Sequence, residues 1–136
     1  HGIDVGFCYN RKEAKTHGEG GSLVGAPLKG QRILVIDDVM TAGTAIGEAV
    51  SIIEANAGGD QNTKMVGIVI ALDRQERATE ESTESTVEMV TKRYGVPVVP
   101  VVTLEDIIKY MEGRGGYDSA IQGMKEYRER YGAKNA

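Results

Sequence analysis

Residues 32–46, Arg-Ile-Leu-Val-Ile-Asp-Asp-Val-Met-Thr-Ala-Gly-Thr-Ala-Ile, constrain this chain more than any other stretch. The four apolar residues 33–36 read as a strand and run into two adjacent carboxylates, Asp37 and Asp38. Thr41, Ala42, Gly43 and Thr44 then form a loop of small residues. Beyond it, Ile46, Ala49, Val50 and Ile53 fall on one face of a helix by their i, i+3, i+4, i+7 spacing. A tight loop between strand and helix presents free backbone N–H groups at the positive end of a helix dipole, where an anion is favoured. Carboxylates beside that anion site suit hydroxyl groups or a cation. A phosphorylated sugar meets both demands. The simpler alternative is an ordinary strand-to-helix turn capped by Thr44, but capping alone does not require two carboxylates at the end of a buried strand.

Around this run the chain reads as one compact α/β domain. Its 136 residues suffice for a single core. Strands are predicted over 3–9, 32–37, 65–72 and 96–103, all rich in Val and Ile and without strict polar alternation, as in strands covered on both faces. Helices are predicted over 44–56, 85–94, 104–111 and 118–131. Gly58-Gly59 and Gly95 stop the first two, and Thr103 caps the third. The inward faces are Val87, Val90 and Tyr94; Leu104, Ile107, Ile108 and Met111; and Ile121, Met124 and Tyr131. Alternation of the two element types implies a parallel sheet. Pro97 and Pro100 place the last strand at an edge or a bulge. Residues 75–86 read as an exposed acidic connection, and residues 11–30 as a flexible loop whose length suggests a functional role.

Composition excludes several classes. A net charge of -4 gives no bulk attraction to nucleic acid or to an anionic membrane. No apolar run reaches the ~18 residues of a membrane span. The single cysteine, Cys8, rules out an internal disulfide framework. It reads as buried filler and suits a reducing, cytoplasmic setting. The chain opens on His1 and runs directly into a strand, which suggests a domain incomplete at its N-terminus.

The strand, acidic pair and Thr-x-Gly-Thr of residues 33–44 resemble the phosphoribosyl pyrophosphate motif of the type I phosphoribosyltransferases. The resemblance implies that family's parallel-sheet α/β fold, with Asp37 and Asp38 on the ribose hydroxyls. It also implies that the segment Val39, Met40, Thr41, Ala42, Gly43, Thr44 and Ala45 holds the 5-phosphate. Residues 10–21 carry Arg11, Lys12, Lys15 and His17 ahead of clustered glycines. They are similar to the catalytic loop Arg-Lys-x-x-Lys-x-His-Gly-x-Gly of orotate phosphoribosyltransferases. Thr16 stands where many members carry Asp. A solvated linker with incidental lysines is the competing interpretation. Leu72-Asp73-Arg74-Gln75-Glu76-Arg77 follows a strand directly, and ligands of open α/β sheets bind beyond strand carboxyl ends. In the family this Arg74, with Thr41, contacts orotate; taken alone, the segment reads as a surface ion-pair cluster.

These resemblances imply transfer of a phosphoribosyl group from 5-phosphoribosyl 1-pyrophosphate to orotate, giving orotidine 5-monophosphate and pyrophosphate. Lys15 then serves the leaving group, with Arg11, Lys12 and His17 beside it. Asp37 and Asp38 orient the ribose. Mg²⁺ arrives on the pyrophosphate rather than in a protein cage. The family further implies a homodimer with shared sites. A purine or uracil phosphoribosyltransferase would lack the lysine-rich loop. A non-catalytic sensor of phosphoribosyl pyrophosphate would have no need of it.

Overall fold

The computed structural model describes residues 2–11, 23–41 and 43–134. Its centre is a three-stranded parallel sheet in the order β3-β4-β5. The strands are β3 (Arg32–Val39), β4 (Lys64–Asp73) and β5 (Val98–Thr103). Helix α1 (Thr44–Ala57) joins β3 to β4, and α2 (Thr86–Tyr94) joins β4 to β5. Parallel neighbours need such crossovers, because a tight turn cannot return the chain to the same end of the sheet. Val35, Ile68 and Val98 share a register row on the face where α1 and α2 pack. Ile46 of α1, Val90 of α2, Ile68, Ile70 and Met40 form the core there. As the sequence predicts, Gly58 and Gly95 end their helices in the left-handed conformation. Thr103 caps α3 (Leu104–Arg114) in a reciprocal capping box. The proline-bearing β5 is an edge strand of its sheet.

Expectations for four parts of the chain need correction. The opening strand is confined to β1 (Cys8–Asn10), which pairs antiparallel with β2 (Leu23–Gly25) in a separate ribbon. Ile3, Val5 and Phe7 lie exposed, since no neighbouring strand or helix covers them among the described residues. Part of the expected loop at 11–30 is therefore strand β2, and Leu28 within it is buried. Cys8 is half-buried rather than a core side chain.

The second correction concerns the sheet, which is covered on one face only among the described residues. Leu34, Ile36, Val99 and Val101 project from the other face and are 53–77% exposed. The uninterrupted apolar runs of β3 and β5 are suited to two covering layers, and the helices described supply one. Third, the connection at 75–86 is not wholly exposed. Gln75, Ser85 and Thr86 are buried, because the segment folds back on itself through Ala78 N–H to Glu84 O and Thr86 N–H to Glu76 O.

The fourth concerns the C-terminal helix. Helices α3 and α4 (Asp118–Tyr131) form a hairpin around Leu104, Ile108 and Ile121. Tyr127, not Tyr131, is the tyrosine packed against this cluster. Tyr131 is 42% exposed and leans on the Tyr127 ring at 4.8 Å. No helix among the described residues is long and apolar enough to cross a membrane.

Candidate functional site at the carboxyl edge of the sheet

The acidic pair closes β3 at the carboxyl edge of the sheet. Asp37 lies on the helix-covered face opposite Ile70 and is half-buried; Asp38, one residue on, is exposed. Alternation of side chains along a strand separates them in this way. Asp37 Oδ1 accepts from Asp38 N–H at 3.0 Å, and Asp38 Oδ1 from Val39 N–H at 2.6 Å. One oxygen of each carboxylate is thereby fixed by the next peptide.

Helix α1 begins five residues after Val39 and, like α4, has no side-chain cap. Its N-cap is Gly43, left-handed at φ 72°. The first helical bond runs from Gly47 N–H to Gly43 O at 3.0 Å. The N–H groups of Thr44, Ala45 and Ile46 are thus left without a side-chain acceptor, and the first turn holds no acidic residue. Thr44 is the first helical residue and not the cap. By contrast, α2 and α3 begin with complete capping boxes, Ser85 with Glu88 and Thr103 with Asp106. The exposed positive end of α1 follows directly on the acidic pair. Thr41, Thr44 and Ala45 are exposed, whereas the Met40 side chain is in the core, so Met40 can meet a ligand only through its backbone. An open groove continues along α1 from Gly43 and Thr44 past Gly47, Glu48 and Ser51 to Arg93 of α2.

Arg74 leaves the neighbouring strand at the same edge. Val39 pairs with Leu72, and Asp73 is the last residue of β4. Burial raises the Asp73 pKa above the ordinary carboxylate value; the Gln75 N–H that donates to its Oδ1 at 2.7 Å works against this, and the Glu76 charge adds to it. Arg74 Nε lies 3.0 Å from Glu76 Oε1. The ion pair that this segment suggested when taken alone is therefore present. Gln75 holds φ 58° and is buried, a conformation costly for a side chain larger than glycine and concentrated at functional sites. Its side-chain oxygen accepts from Glu105 N–H at 3.1 Å, and its carbonyl from Ala133 N–H at 2.9 Å.

The structure thus brings together Asp37, Asp38, Val39, Thr41, Gly43, Thr44 and Ala45 on one segment, with Arg74 at the end of the adjacent strand. Arg11 is half-buried just past β1. Lys12, Lys15, His17 and Ala42 lie outside the described residues. Sequence reasoning missed Arg93, Gln75, Glu76 and Tyr127 as site neighbours. Only the contiguity of Gln75 and Glu76 with Arg74 could have signalled two of them.

Orotate phosphoribosyltransferase from Kluyveromyces lactis is 53% identical over 132 residues, covering 96% of this chain and 56% of that protein. The enzyme of that name from Thioalkalivibrio sulfidiphilus is 51% identical over 132 residues, covering 97% of this chain and 58% of its own length. Over nearly its whole length the chain is similar to orotate phosphoribosyltransferases. The crystal structure of orotate phosphoribosyltransferase from Francisella tularensis matches with a TM-score of 0.73 at 34% identity, over 96% of this chain and 58% of that one. The fold is accordingly that of the type I phosphoribosyltransferases. The chain spans a little over half the length of these orotate phosphoribosyltransferases. No family model matches it.

Proposed function

We propose that this chain carries the phosphoribosyl-binding and base-recognising half of an orotate phosphoribosyltransferase. The reaction joins a ring nitrogen of orotate to C1 of 5-phosphoribosyl 1-pyrophosphate as the C1–oxygen bond to pyrophosphate breaks. That nitrogen gives up its proton to solvent or to the departing pyrophosphate. Pyrophosphate leaves with the bonding pair, giving orotidine 5-monophosphate. The observation that carries this reading is the uncapped, acid-free start of α1 behind Gly43, placed directly after Asp37 and Asp38.

Each group has a task that follows from its chemistry. Peptide N–H groups of Thr44 and Ala45, with the Thr41 and Thr44 hydroxyls, hold the dianionic 5-phosphate. Asp37 and Asp38, each with one oxygen tied to backbone, accept from the ribose hydroxyls with the other. As C1 becomes cation-like, their negative charge stabilises it. Arg74 pairs with the orotate carboxylate, the geometry for which a guanidinium fork is suited. Lys15, with Arg11, Lys12 and His17, neutralises charge building on pyrophosphate. The acidic pair offers the hard oxygens that Mg²⁺ prefers, and an ion that keeps waters and substrate phosphates as its other ligands needs few protein donors. When bound, Mg²⁺ would neutralise charge on the pyrophosphate. A homodimer sharing the loop between subunits and a cytoplasmic location belong to the same proposal, supported by the similarity to orotate phosphoribosyltransferases and, for the location, by the lone cysteine.

The test is pyrophosphate release by the complete polypeptide with each candidate base, in the natural sequence and in Lys15→Ala. Release that depends on orotate, and that collapses in Lys15→Ala while phosphoribosyl pyrophosphate still binds, is the expected result. Release with a different base would reassign the substrate. Ligand binding without release would make the protein a sensor.

A further inference from the structure

The ion pair between Arg74 and Glu76 is one-sided. Arg74 Nε is fully buried, yet its N–H has no aligned acceptor among the described residues. The 3.0 Å approach to Glu76 Oε1 is thus a contact of charges rather than a formed hydrogen bond. The same Oε1 accepts a short hydrogen bond from the hydroxyl of Tyr127, reaching across from α4. That hydroxyl is held in its neutral, donating form: the bond to Glu76 raises its pKa, as do burial and the Glu76 charge. No hydrogen bond among the described residues engages the terminal nitrogens of Arg74, and its side chain is one third exposed. A free carboxylate beside a guanidinium would close on it through two parallel bonds. Here Tyr127 holds the oxygen that would have to turn.

The surrounding backbone fixes this arrangement. Arg77 N–H donates to Tyr131 O, and Ala133 N–H to Gln75 O, both at 2.9 Å. The Arg77 guanidinium also donates to Arg130 O. The end of α4 therefore grips the residues on either side of Glu76, and Gln75 is kept in its left-handed conformation between them.

We propose that Glu76, restrained by the Tyr127 hydroxyl, is a positioning residue that holds Arg74 by Nε alone and leaves its terminal nitrogens for the substrate carboxylate. This rests on the assignment of Arg74 to orotate made above. Removing the hydroxyl frees Glu76 to clamp Arg74, so that substrate and protein carboxylates compete for one fork. The effect should fall on orotate and not on the sugar phosphate.

Steady-state kinetics of the complete polypeptide test this with five variants. Arg74→Lys tests the parent assignment: if the KM for orotate does not rise, that assignment falls and this inference with it. Tyr127→Phe should raise the KM for orotate roughly tenfold or more, the size expected for one hydrogen bond to a charged group, and leave the KM for phosphoribosyl pyrophosphate unaltered. Tyr131→Phe, which removes a neighbouring hydroxyl, should match the natural sequence. In a Glu76→Ala background the Tyr127→Phe change should have no further effect, because the pair would act as one unit. If Arg74→Lys responds but Tyr127→Phe does not, the positioning role alone is overturned. Equal responses of the two tyrosine variants, or an undiminished Tyr127→Phe effect without Glu76, would also overturn it by showing a general packing defect.

Discussion

Gly43 sits tightly against Val90: a Cβ on Gly43 would stand 3.0 Å from Val90 Cγ2, so the valine would have to give way. Val90 is 1% exposed and cannot retreat without disturbing the core. The residue that opens the anion-binding end of α1 is thus seated directly on the packing of α2. Gly43→Ala should lose stability through its left-handed φ of 72°, by about 1–2 kcal/mol for that conformation alone. It should also weaken phosphoribosyl pyrophosphate binding. Denaturant melts and ligand titration of the same preparation measure the two effects.

Asp38→Asn keeps an oxygen able to accept from Val39 N–H and removes only the charge. The side chain is exposed, so stability should hardly change. Affinity for the sugar phosphate should fall roughly tenfold or more, as for loss of a hydrogen bond to a charged group. Thermal unfolding checks the first, and calorimetric titration with phosphoribosyl pyrophosphate the second.

Ser85→Ala removes the acceptor for Glu88 N–H and half of the reciprocal box that starts α2. Loss of about 1 kcal/mol is expected, measured as a lower denaturant midpoint at unchanged slope. Activity should survive, since no part of the acidic pair or its loop is touched.

The two faces of the sheet predict opposite responses to truncation. Ile70 is 0% exposed, and Ile70→Ala should destabilise by about 2–5 kcal/mol. Ile36, at 76% exposed, should tolerate Ile36→Ala in the 136-residue chain with a change within about 0.5 kcal/mol. The same open face should bind a hydrophobic dye when these residues are prepared alone, and Ile36→Ala should reduce that signal. We also expect the 136 residues alone to turn over little or no orotate. Pyrophosphate release at rates matching the complete enzyme would contradict this.

Burial raises the pKa of Asp73, which penalises its charged form in the folded state. Below the ordinary carboxylate pKa both folded and unfolded chains are protonated, and the penalty is absent. As pH rises from there through the folded-state value, the native protein holds the proton longer and stability falls. Asp73→Asn, whose carbonyl can still accept from Gln75 N–H, should erase that slope. Unfolding free energies of both forms across the acid range provide the comparison.

Local pattern determined a large part of this protein. The apolar runs of β3 and β4, the period of α1, the left-handed stops at Gly58 and Gly95 and the Thr103 cap all depend on neighbours in sequence, and all are where the sequence predicts them. The order of Asp37, Asp38 and the start of α1 behind Gly43 was legible for the same reason, since these residues follow one another along the chain. Tertiary structure alone decided the rest. Residues 3–7 have the composition of a strand but form none, with Phe7 O alone bonded to Ala26 N–H among the described residues, and Leu34 and Ile36 look like core residues but are exposed among the described residues. Whether an apolar side chain is buried depends on what arrives from elsewhere to cover it. The contact of Tyr127 with Glu76 spans 51 residues and leaves no periodic trace in the sequence. It exists because the end of α4 packs beside the strand end that carries Arg74.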